Sequence, residues 1–266
     1  MKESVQILGI VLVRNEDLFV GQAVANIAAF CDALILCDHQ SIDATPRILE
    51  DLTRKIPQAE LHHLRHPSES QELLKPFIGT PTWVFGVDGD EIYDPAKLLA
   101  FRERLRSGEF RDIWRMKGNV LHCTELRPDR SSATGYMAPP SRSVTKLYNF
   151  SAISAWDGDT VERLHGGHIH FQSGFDDNKK WNFQESLDWE ESPLRCLHTC
   201  FLPRSSRDVG GMGVRENIME TYRGGMGGLL RRFFSRLTGR SPESRWKHEY
   251  YRRGTLETVD ARPFFP

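Results

Sequence analysis

Short apolar runs alternate with longer segments of helical spacing over the first hundred residues. Four runs have the length and composition of buried strands, at residues 7–13, 33–37, 59–64 and 83–87. The segments between and after them predict helices at residues 19–30, 46–55 and 71–77, and one more that begins at Pro95. Strands that alternate with helices form mostly parallel sheets with helices on both faces. This pattern therefore predicts a Rossmann-type, doubly wound α/β half.

The alternation fades after about residue 107, where Trp, His and Gly become more frequent. Residues 142–150 contain an alternating strand, and residues 156–171 carry three carboxylates and three histidines. Residues 223–253 are rich in Arg and Lys, and residues 229–240 place leucines and phenylalanines on one helical face. We expect a ligand-binding half at 1–106, an acceptor-side half of the same domain at 107–205, and a basic, helical C-terminal segment at 206–266.

Charge and cysteine content limit the partners and the compartment. Lys and Arg total 35 against 36 for Asp and Glu, so no overall field attracts nucleic acid, and we expect no such partner. Five cysteines without framework spacing, and no signal peptide over the first residues, predict a reduced, cytoplasmic protein. For residues 229–240 we favour docking on the protein's own core. The alternative is peripheral contact with anionic lipid at the inner face of the membrane.

Polar side chains follow each of the four predicted strands at the point where the strand ends. In chain order they are Arg14, Asn15 and Glu16; Asp38, Ser41, Asp43 and Thr45; Arg65 and His66; and Asp88, Asp90 and Glu91. Ligands of parallel sheets bind at the carboxyl ends of the strands. The last three carboxylates repel one another, so they must face water, a base or a cation. The pattern predicts a binding site at this edge, with Arg14 and Arg65 open to the alternative of structural ion pairs.

Three segments in combination resemble the family 2 glycosyltransferases, which have the nucleotide-sugar-binding GT-A fold. The segments are "VRNEDLFV", "LCDHQSIDATPRIL" and "WVFGVDGDE", and the resemblance covers residues 7 to about 105. In that family an Asn-Glu pair follows the first strand, an Asp-x-x-Ser-x-Asp-x-Thr segment follows the second, and an Asp-x-Asp motif carries a divalent metal. One departure is Ala44, where the family usually has glycine. The resemblance implies a GT-A-like fold in which residues 1–106 bind a nucleoside diphosphate sugar.

The resemblance also implies roles for individual residues. The donor-binding residues are expected to be Val13, Arg14, Asn15, Glu16, Asp38, Ser41, Asp43, Arg65, Asp88 and Gly89. Asp90 is the first candidate to ligate Mn²⁺ or Mg²⁺, while Asp88 meets the ribose or reaches the metal through water. His198 lies in a segment, "RCLHTCFLPRS", that resembles the one carrying a further metal ligand. Such a cation would neutralise the diphosphate that leaves during transfer.

Candidates for a general base lie in residues 156–171. Related enzymes often carry a Val-His-Glu pattern here. This chain has Thr160, Val161 and Glu162, so the glutamate of that pattern is present and the histidine is absent. Glu162 is the first candidate, with Asp157 and Asp159 as rivals. Direct attack by an acceptor hydroxyl inverts the anomeric configuration. We therefore expect a metal-dependent inverting glycosyltransferase that acts on a glycan or glycolipid acceptor.

Three other interpretations remain open. A sugar-phosphate nucleotidyltransferase shares the alternating architecture, but "VRNED" lacks the glycines of a phosphate loop. A non-catalytic protein that binds a nucleotide sugar is the second. A zinc-binding protein is the third, although no Cys-x-x-Cys pair is present; its candidate ligands are His165, His168, His170, Cys196, His198 and Cys200.

Overall fold

The computed structural model describes residues 4–208 and 249–266 of the chain. The helix predicted at 229–240, with its expected docking on the protein's own core or on lipid, lies outside the described residues, as does most of the basic stretch around it. Within residues 4–208 and 249–266, no helix combines the length and the apolar character that crossing a bilayer demands.

A seven-stranded, mostly parallel sheet forms the centre of the molecule. Its parallel part consists of β1 (Gln6–Val13), β2 (Ala33–Asp38), β3 (Ala59–His63) and β4 (Thr82–Asp88). β1 lies between β2 and β4, and β3 pairs with the outer side of β2. These four strands match the four apolar runs, and the predicted α/β architecture is confirmed. The apolar runs are continuous because both faces are covered: Ile7 and Val11 pack in one core cluster, Leu8 and Ile10 in another.

Helices cover the faces of this sheet. They are α1 (Val20–Ala28), α2 (Thr45–Lys55), α3 (Glu69–Glu72) and α4 (Pro95–Arg106). The helix predicted at 71–77 is shorter than expected, because α3 ends at Glu72 and a separate 3-10 turn follows at Lys75–Phe77. Pro76 explains the break, since its ring has no N–H and clashes with the carbonyl four residues earlier.

The second half of the chain completes the central sheet and builds further strands. The additional strands are β5 (Glu91–Tyr93), β6 (Arg115–Lys117), β7 (Val120–Leu126), β8 (Ser132–Ala138), β9 (Lys146–Asn149), β10 (Ile153–Glu162), β11 (His165–Phe171), β12 (Lys180–Asn182), β13 (Cys196–His198) and β14 (Leu256–Asp260). β9, β6 and β12 extend the central sheet beyond β4. A five-stranded sheet has the order β14-β8-β7-β13-β5, and β10 and β11 form a hairpin.

The C-terminal segment departs from the helical expectation for residues 206–266. Its described part contains β14, which pairs antiparallel with β8 from Leu256 to Asp260. Val259 packs against the apolar cluster of the five-stranded sheet, which also contains Ala261 and Phe264. Tertiary pairing with β8 and burial of these side chains decide the conformation, and neither is visible in the local composition.

Candidate active site

The strand register brings the predicted site residues to one edge of the sheet. Asp38 pairs with Val13 across β2 and β1, and Asp88 pairs with Leu12 across β4 and β1. Since β1 is central, the loop that begins at Arg14 lies between the ends of β2 and β4. Three of the four predicted clusters therefore meet as expected.

Hydrogen bonds join the loops that follow β1 and β2. The Asn15 N–H donates to Ser41 Oγ at 2.9 Å, and the Ile42 N–H donates to Asn15 Oδ1 at 2.7 Å. The Glu16 N–H donates to Thr45 Oγ1 at 2.8 Å. Asn15 has a φ of 53°, a left-handed conformation that asparagine tolerates better than most residues. The two segments that carried the family resemblance thus form one structural unit.

Ala44 and Asp38 complete this unit. Ala44 has φ −78°, an ordinary right-handed conformation, so the loop does not need the glycine that is usual in the family. Asp38 Oδ1 accepts a hydrogen bond from the Ser41 N–H at 3.3 Å, and its Oδ2 lies 3.6 Å from His63 Nδ1. Asp43 Oδ1 accepts from the Thr45 N–H at 2.9 Å. The polar atoms of the β2 loop are thus held by local bonds.

Arg65 contributes through its backbone. Its carbonyl oxygen accepts a hydrogen bond from Gln40 Nε2 at 2.9 Å, and its N–H donates to Glu69 Oε2 at 3.1 Å. Its guanidinium forms no ion pair within residues 4–208 and 249–266. The structural ion pair considered for Arg65 is therefore not present in this part of the chain.

Gly89 permits the close approach of the β4 turn to the end of β1. A Cβ atom at this position would lie 2.7 Å from Val13 Cγ1 and would collide with Glu16 Oε2. Any side chain would therefore push the Asp-Gly-Asp turn away from the β1 loop. Steric crowding by Val13 and Glu16 therefore accounts for the glycine between the two aspartates, whether or not a ligand is bound.

Two buried cations compensate the charge of Asp88. Arg163 Nη2 donates to Asp88 Oδ1 and also to the Val87 carbonyl, and Lys146 Nζ lies 3.3 Å from Asp88 Oδ2. Burial by itself raises the pKa of Asp88, but Lys146 and Arg163 outweigh burial and hold that pKa well below its usual range. The Asp88 side chain is still 34% exposed, so it faces both these cations and the open side of the site.

Asp90 lies deeper, with 1% of its side chain exposed. Its Oδ2 accepts a hydrogen bond from Arg204 Nη1 at 2.6 Å and lies 3.5 Å from His198 Nε2. Arg204 Nη1 also lies 3.2 Å from Glu16 Oε1. One guanidinium therefore joins the predicted metal ligand to the β1 loop.

Glu91 occupies a third environment. Its side chain is fully buried, with Oε1 3.4 Å from Lys146 Nζ and Oε2 accepting from the Tyr93 hydroxyl at 3.2 Å. Burial raises the pKa of Glu91 to about 7, although Lys146 acts in the opposite direction. Asp88 and Glu91 thus share Lys146 but have pKa values shifted in opposite directions, while Asp90 faces Arg204 and His198.

His198 reaches Asp90 because β13 pairs with two strands. His198 is in register with Glu91 of β5 on one side and with His122 of β7 on the other. Its Nδ1 lies 2.8 Å from His122 Nδ1, and His122 Nε2 lies 2.9 Å from the Arg142 carbonyl oxygen. Burial lowers the pKa of His198, but Cys200 and Asp90 raise it well above its ordinary value.

His122 was missed in the sequence because nothing near it suggested chemistry. It stands in the alternating segment "VLHCTEL", where a lone histidine is typical of a core position. Of the zinc ligands considered earlier, Cys196 belongs to the main apolar core, while Cys200 Sγ lies 3.9 Å from His122 Nδ1. His122, His198 and Cys200 form a buried group whose ligand atoms all lie within 4.8 Å of one another.

Two of the three candidate bases, Glu162 and Asp157, occupy different surroundings, and the third, Asp159, is exposed. Glu162 is 14% exposed, lies 3.4 Å from Arg163 Nη1 and 2.9 Å from His165 Nδ1, and so shares Arg163 with Asp88. Burial raises the pKa of Glu162, but Arg163 and the hydrogen bond to His165 lower it below its ordinary value. Asp157 is 65% exposed and lies 3.2 Å from His170 Nε2 on the β10–β11 hairpin. Only Glu162 of the two shares a partner with the "DGDE" carboxylates.

The segment 204–208 is a second feature that sequence reasoning missed. Ser205 Oγ donates to Asp43 Oδ2 at 2.6 Å, and the Ser206 N–H donates to Asp17 Oδ1 at 2.7 Å. Together with Arg204, these contacts fasten the segment after β13 across the loops after β1 and β2. The only signal was its place in "RCLHTCFLPRS", a stretch examined for its histidine alone.

Comparisons with known proteins give structural likenesses only. No model of a protein family matches this chain, and no curated protein does. A solved mannosyltransferase from Pyrobaculum calidifontis, in complex with GDP-Man and Mn²⁺, has a TM-score of 0.33 and 17% identity over 48% of this chain. A glucosyl-3-phosphoglycerate synthase from Mycobacterium tuberculosis, in complex with phosphoglyceric acid, has a TM-score of 0.31 and 20% identity over 47% of this chain.

A third similar structure is a 4-diphosphocytidyl-2C-methyl-D-erythritol synthase from Anaerococcus prevotii, with a TM-score of 0.33 and 12% identity over 55% of this chain. The chain spans 37% of the mannosyltransferase and 46% of the glucosyl-3-phosphoglycerate synthase, less than half of each. Likenesses of this size do not tell what this chain binds or does.

Proposed function

We propose that this protein is a metal-dependent glycosyltransferase that moves a sugar from a nucleoside diphosphate donor to the hydroxyl of a glycan or glycolipid. The observation that supports the proposal is the meeting of Asp88 and Asp90 with the β1 and β2 loops at the carboxyl edge of the central sheet. Nucleotide ligands bind at this edge in sheets of this topology. A diphosphate beside two carboxylates requires a cation between them.

Asp90 and His198 are the residues that we propose to hold the cation. Their facing atoms, Oδ2 and Nε2, are 3.5 Å apart, and a carboxylate with an imidazole suits Mn²⁺. Arg204 Nη1 already pairs with Asp90 Oδ2 and with Glu16, so a bound metal would have to displace this guanidinium from Asp90. A bound metal would neutralise the diphosphate as the sugar departs.

The remaining donor contacts are assigned to the loops. Asp88 is compensated by Lys146 and Arg163 and is still partly exposed, so it can accept hydrogen bonds from the ribose hydroxyls without an added charge penalty. Asp38 at the end of β2 is proposed to accept from the base or the ribose. Arg163 would hold Asp88 in place because its guanidinium is itself anchored to the Val87 carbonyl.

Glu162 is proposed as the general base that takes the proton of the acceptor hydroxyl. It is ionised at neutral pH and shares Arg163 with Asp88, which supports a position beside the donor. Attack on the face opposite the leaving diphosphate would invert the anomeric carbon. We expect Glu162→Gln to lower turnover at least 100-fold, while Asp157→Asn keeps near-normal turnover. NMR of the product that shows retention, or normal turnover of Glu162→Gln, would contradict this assignment.

Thermal unfolding with nucleotides tests the function itself. The full chain is heated with UDP, GDP, CDP or TDP, each with and without Mn²⁺ or Mg²⁺. We expect at least one nucleotide to stabilise the protein more with metal, by about 2.7 kcal/mol at a hundredfold excess over its dissociation constant. Asp129→Asn, which alters an exposed turn, is the control and should respond as the unaltered protein does. A nucleotide response without metal dependence, or none at all, would contradict the proposal.

A further inference from the structure

Two histidines and one cysteine are buried together where β7 and β13 pair. His122 Nδ1 and His198 Nδ1 face each other at 2.8 Å, and Cys200 Sγ lies 3.9 Å from His122 Nδ1. The Tyr251 ring stacks on the His122 ring, with centroids 4.3 Å apart and an interplanar angle of 14°. Such a group can hold a transition metal or can be joined by hydrogen bonds.

The distance between the two nitrogens decides between these alternatives. Two imidazole ligands of a tetrahedral zinc ion stand about 3.3 Å apart, as follows from zinc–nitrogen bonds of roughly 2.0–2.1 Å. The 2.8 Å between His122 Nδ1 and His198 Nδ1 is shorter than that and is a normal hydrogen-bond length. A proton therefore lies between the two rings in this arrangement.

The direction of that hydrogen bond follows from the outer partner of His122. His122 Nε2 lies 2.9 Å from the Arg142 carbonyl oxygen, and a carbonyl only accepts, so Nε2 carries the proton. The 2.8 Å contact between the two Nδ1 atoms needs one donor and one acceptor, and a His122 ring that donates through Nε2 offers Nδ1 as the acceptor. His198 Nδ1 must donate to it. Nε2 of His198 faces Asp90 and is the nitrogen at which a cation would take the place of a proton.

We propose that His122 is a positioning residue that fixes the tautomer and ring orientation of His198, so that His198 Nε2 faces the cation site beside Asp90. The inference rests on the proposed metal-dependent function. His122 is suited to this role because three contacts hold its own ring: the Arg142 carbonyl, the Tyr251 stack and the partner histidine. Groups that orient a ligating histidine typically change metal affinity by about 10–100-fold.

Two substitutions separate the hydrogen bond from the bulk of the ring. His122→Leu removes the acceptor, whereas His122→Asn can place an amide oxygen near the position of Nδ1. For each full-length variant, the Mn²⁺ concentration that gives half of the nucleotide-induced rise in Tm is measured. We expect His122→Leu to raise that concentration about 10–100-fold and His122→Asn to raise it much less. His62→Leu, the same substitution on β3 and outside this group, is the matched control and should leave it unchanged. Equal values for His122→Leu and the unaltered protein would overturn the proposal.

Two further measurements keep this inference distinguishable from the proposed function. Long-range ¹H–¹⁵N NMR of the full chain without nucleotide reports ring protonation directly. We expect a proton on His198 Nδ1 that is hydrogen-bonded to His122 Nδ1, and the loss of that hydrogen bond in His122→Leu, whatever the metal response is. A bare His198 Nδ1 overturns the inference alone, while a missing metal response overturns the proposed function. Zinc analysis of protein purified without added metal should find none; one zinc per chain that Cys200→Ala loses would overturn the positioning role.

Discussion

The carboxylates of "DGDE" show how neighbouring like charges are accommodated. Asp88 faces Arg163 and Lys146, Asp90 faces Arg204 and His198, and Glu91 faces Lys146 and Tyr93. Every cation in this set comes from a distant part of the chain. Repulsion within the motif is therefore offset by ion pairs with the second half of the molecule, which also orient each carboxylate.

Asp90→Asn is expected to abolish both turnover and the metal-dependent nucleotide response. If repulsion among the neighbouring carboxylates were the only interaction of Asp90, the substitution would not lower the free energy of unfolding. The structure alters that expectation, because Asp90 compensates the buried Arg204, and we expect a loss of about 1–3 kcal/mol in the free energy of unfolding. Urea unfolding measures the loss, and Asp129→Asn is the exposed control. Unchanged stability would mean that Glu16 alone suffices as the partner of Arg204.

Two glycines give a matched pair of opposite predictions. Gly89→Ala places a Cβ against Glu16 and Val13, so we expect a loss of about 1–3 kcal/mol of stability from overpacking. Gly21→Ala lies in α1, where the new Cβ meets Ile48 at an ordinary 3.7 Å, and should gain about 0.5–1 kcal/mol from helix propensity. Chemical denaturation of both variants checks the pair. Equal effects would refute the steric role assigned to Gly89.

At the scale of elements, α4 depends on one side chain with two functions. Asp94 Oδ1 caps the helix by accepting from the N–H groups of Ala96 and Lys97 at 3.0 and 3.1 Å. Its Oδ2 accepts from Arg195 Nε and Nη2 at 2.9 and 2.7 Å. The start of α4 is therefore fixed to the segment that leads into β13, the strand that carries His198.

Asp94 variants should separate these two functions. Asp94→Ala removes the cap and leaves the buried Arg195 without this partner, for an expected loss of about 2–4 kcal/mol. Asp94→Asn keeps an acceptor oxygen for the helix and loses the charge and the acceptor that face Arg195, so its loss should be smaller because the cap remains. Thermal unfolding compares the two. Equal losses would show that the cap contributes nothing and that the ion pair accounts for the whole effect.

At the scale of the whole molecule, the last residues close the structure. Phe264 is fully buried in the apolar cluster of the five-stranded sheet, and its carbonyl accepts from Asn26 Nδ2 of α1 at 2.8 Å. Asn26 Nδ2 also donates to the Tyr93 carbonyl at 2.7 Å. The C-terminal residues thus link helix α1 to β5 and the second sheet.

Phe264→Ala should therefore destabilise the entire chain. We expect a loss of about 3–5 kcal/mol from the cavity and the lost burial. Leu256→Ala, at a position 60% exposed on β14, is the control and should change stability by less than about 0.5 kcal/mol. Denaturant unfolding followed by fluorescence gives both values. A small effect of Phe264→Ala would mean that the C-terminal strand is not part of the cooperative unit.

The sequence by itself determined the central sheet and the edge at which polar residues gather. Continuous apolar runs as short and β-branched as "ILGIVLV" predict strands covered on both faces, and parallel order then places Asp38 and Asp88 beside the end of β1. These features follow from the local periodicity of apolar residues and from the short sequence distance between consecutive strands and helices. The resemblance to a glycosyltransferase family rests on the same segments.

Only the tertiary structure decided the partners of these residues. Arg163, Arg204 and His122 reach the site from more than thirty positions away in the chain, through pairings whose register no local pattern specifies. The strand at Leu256–Asp260 likewise depends on its pairing with β8. Apolar periodicity indicates which side of a helix or strand is buried. The pairing of charged groups from distant elements is decided only when those elements pack together.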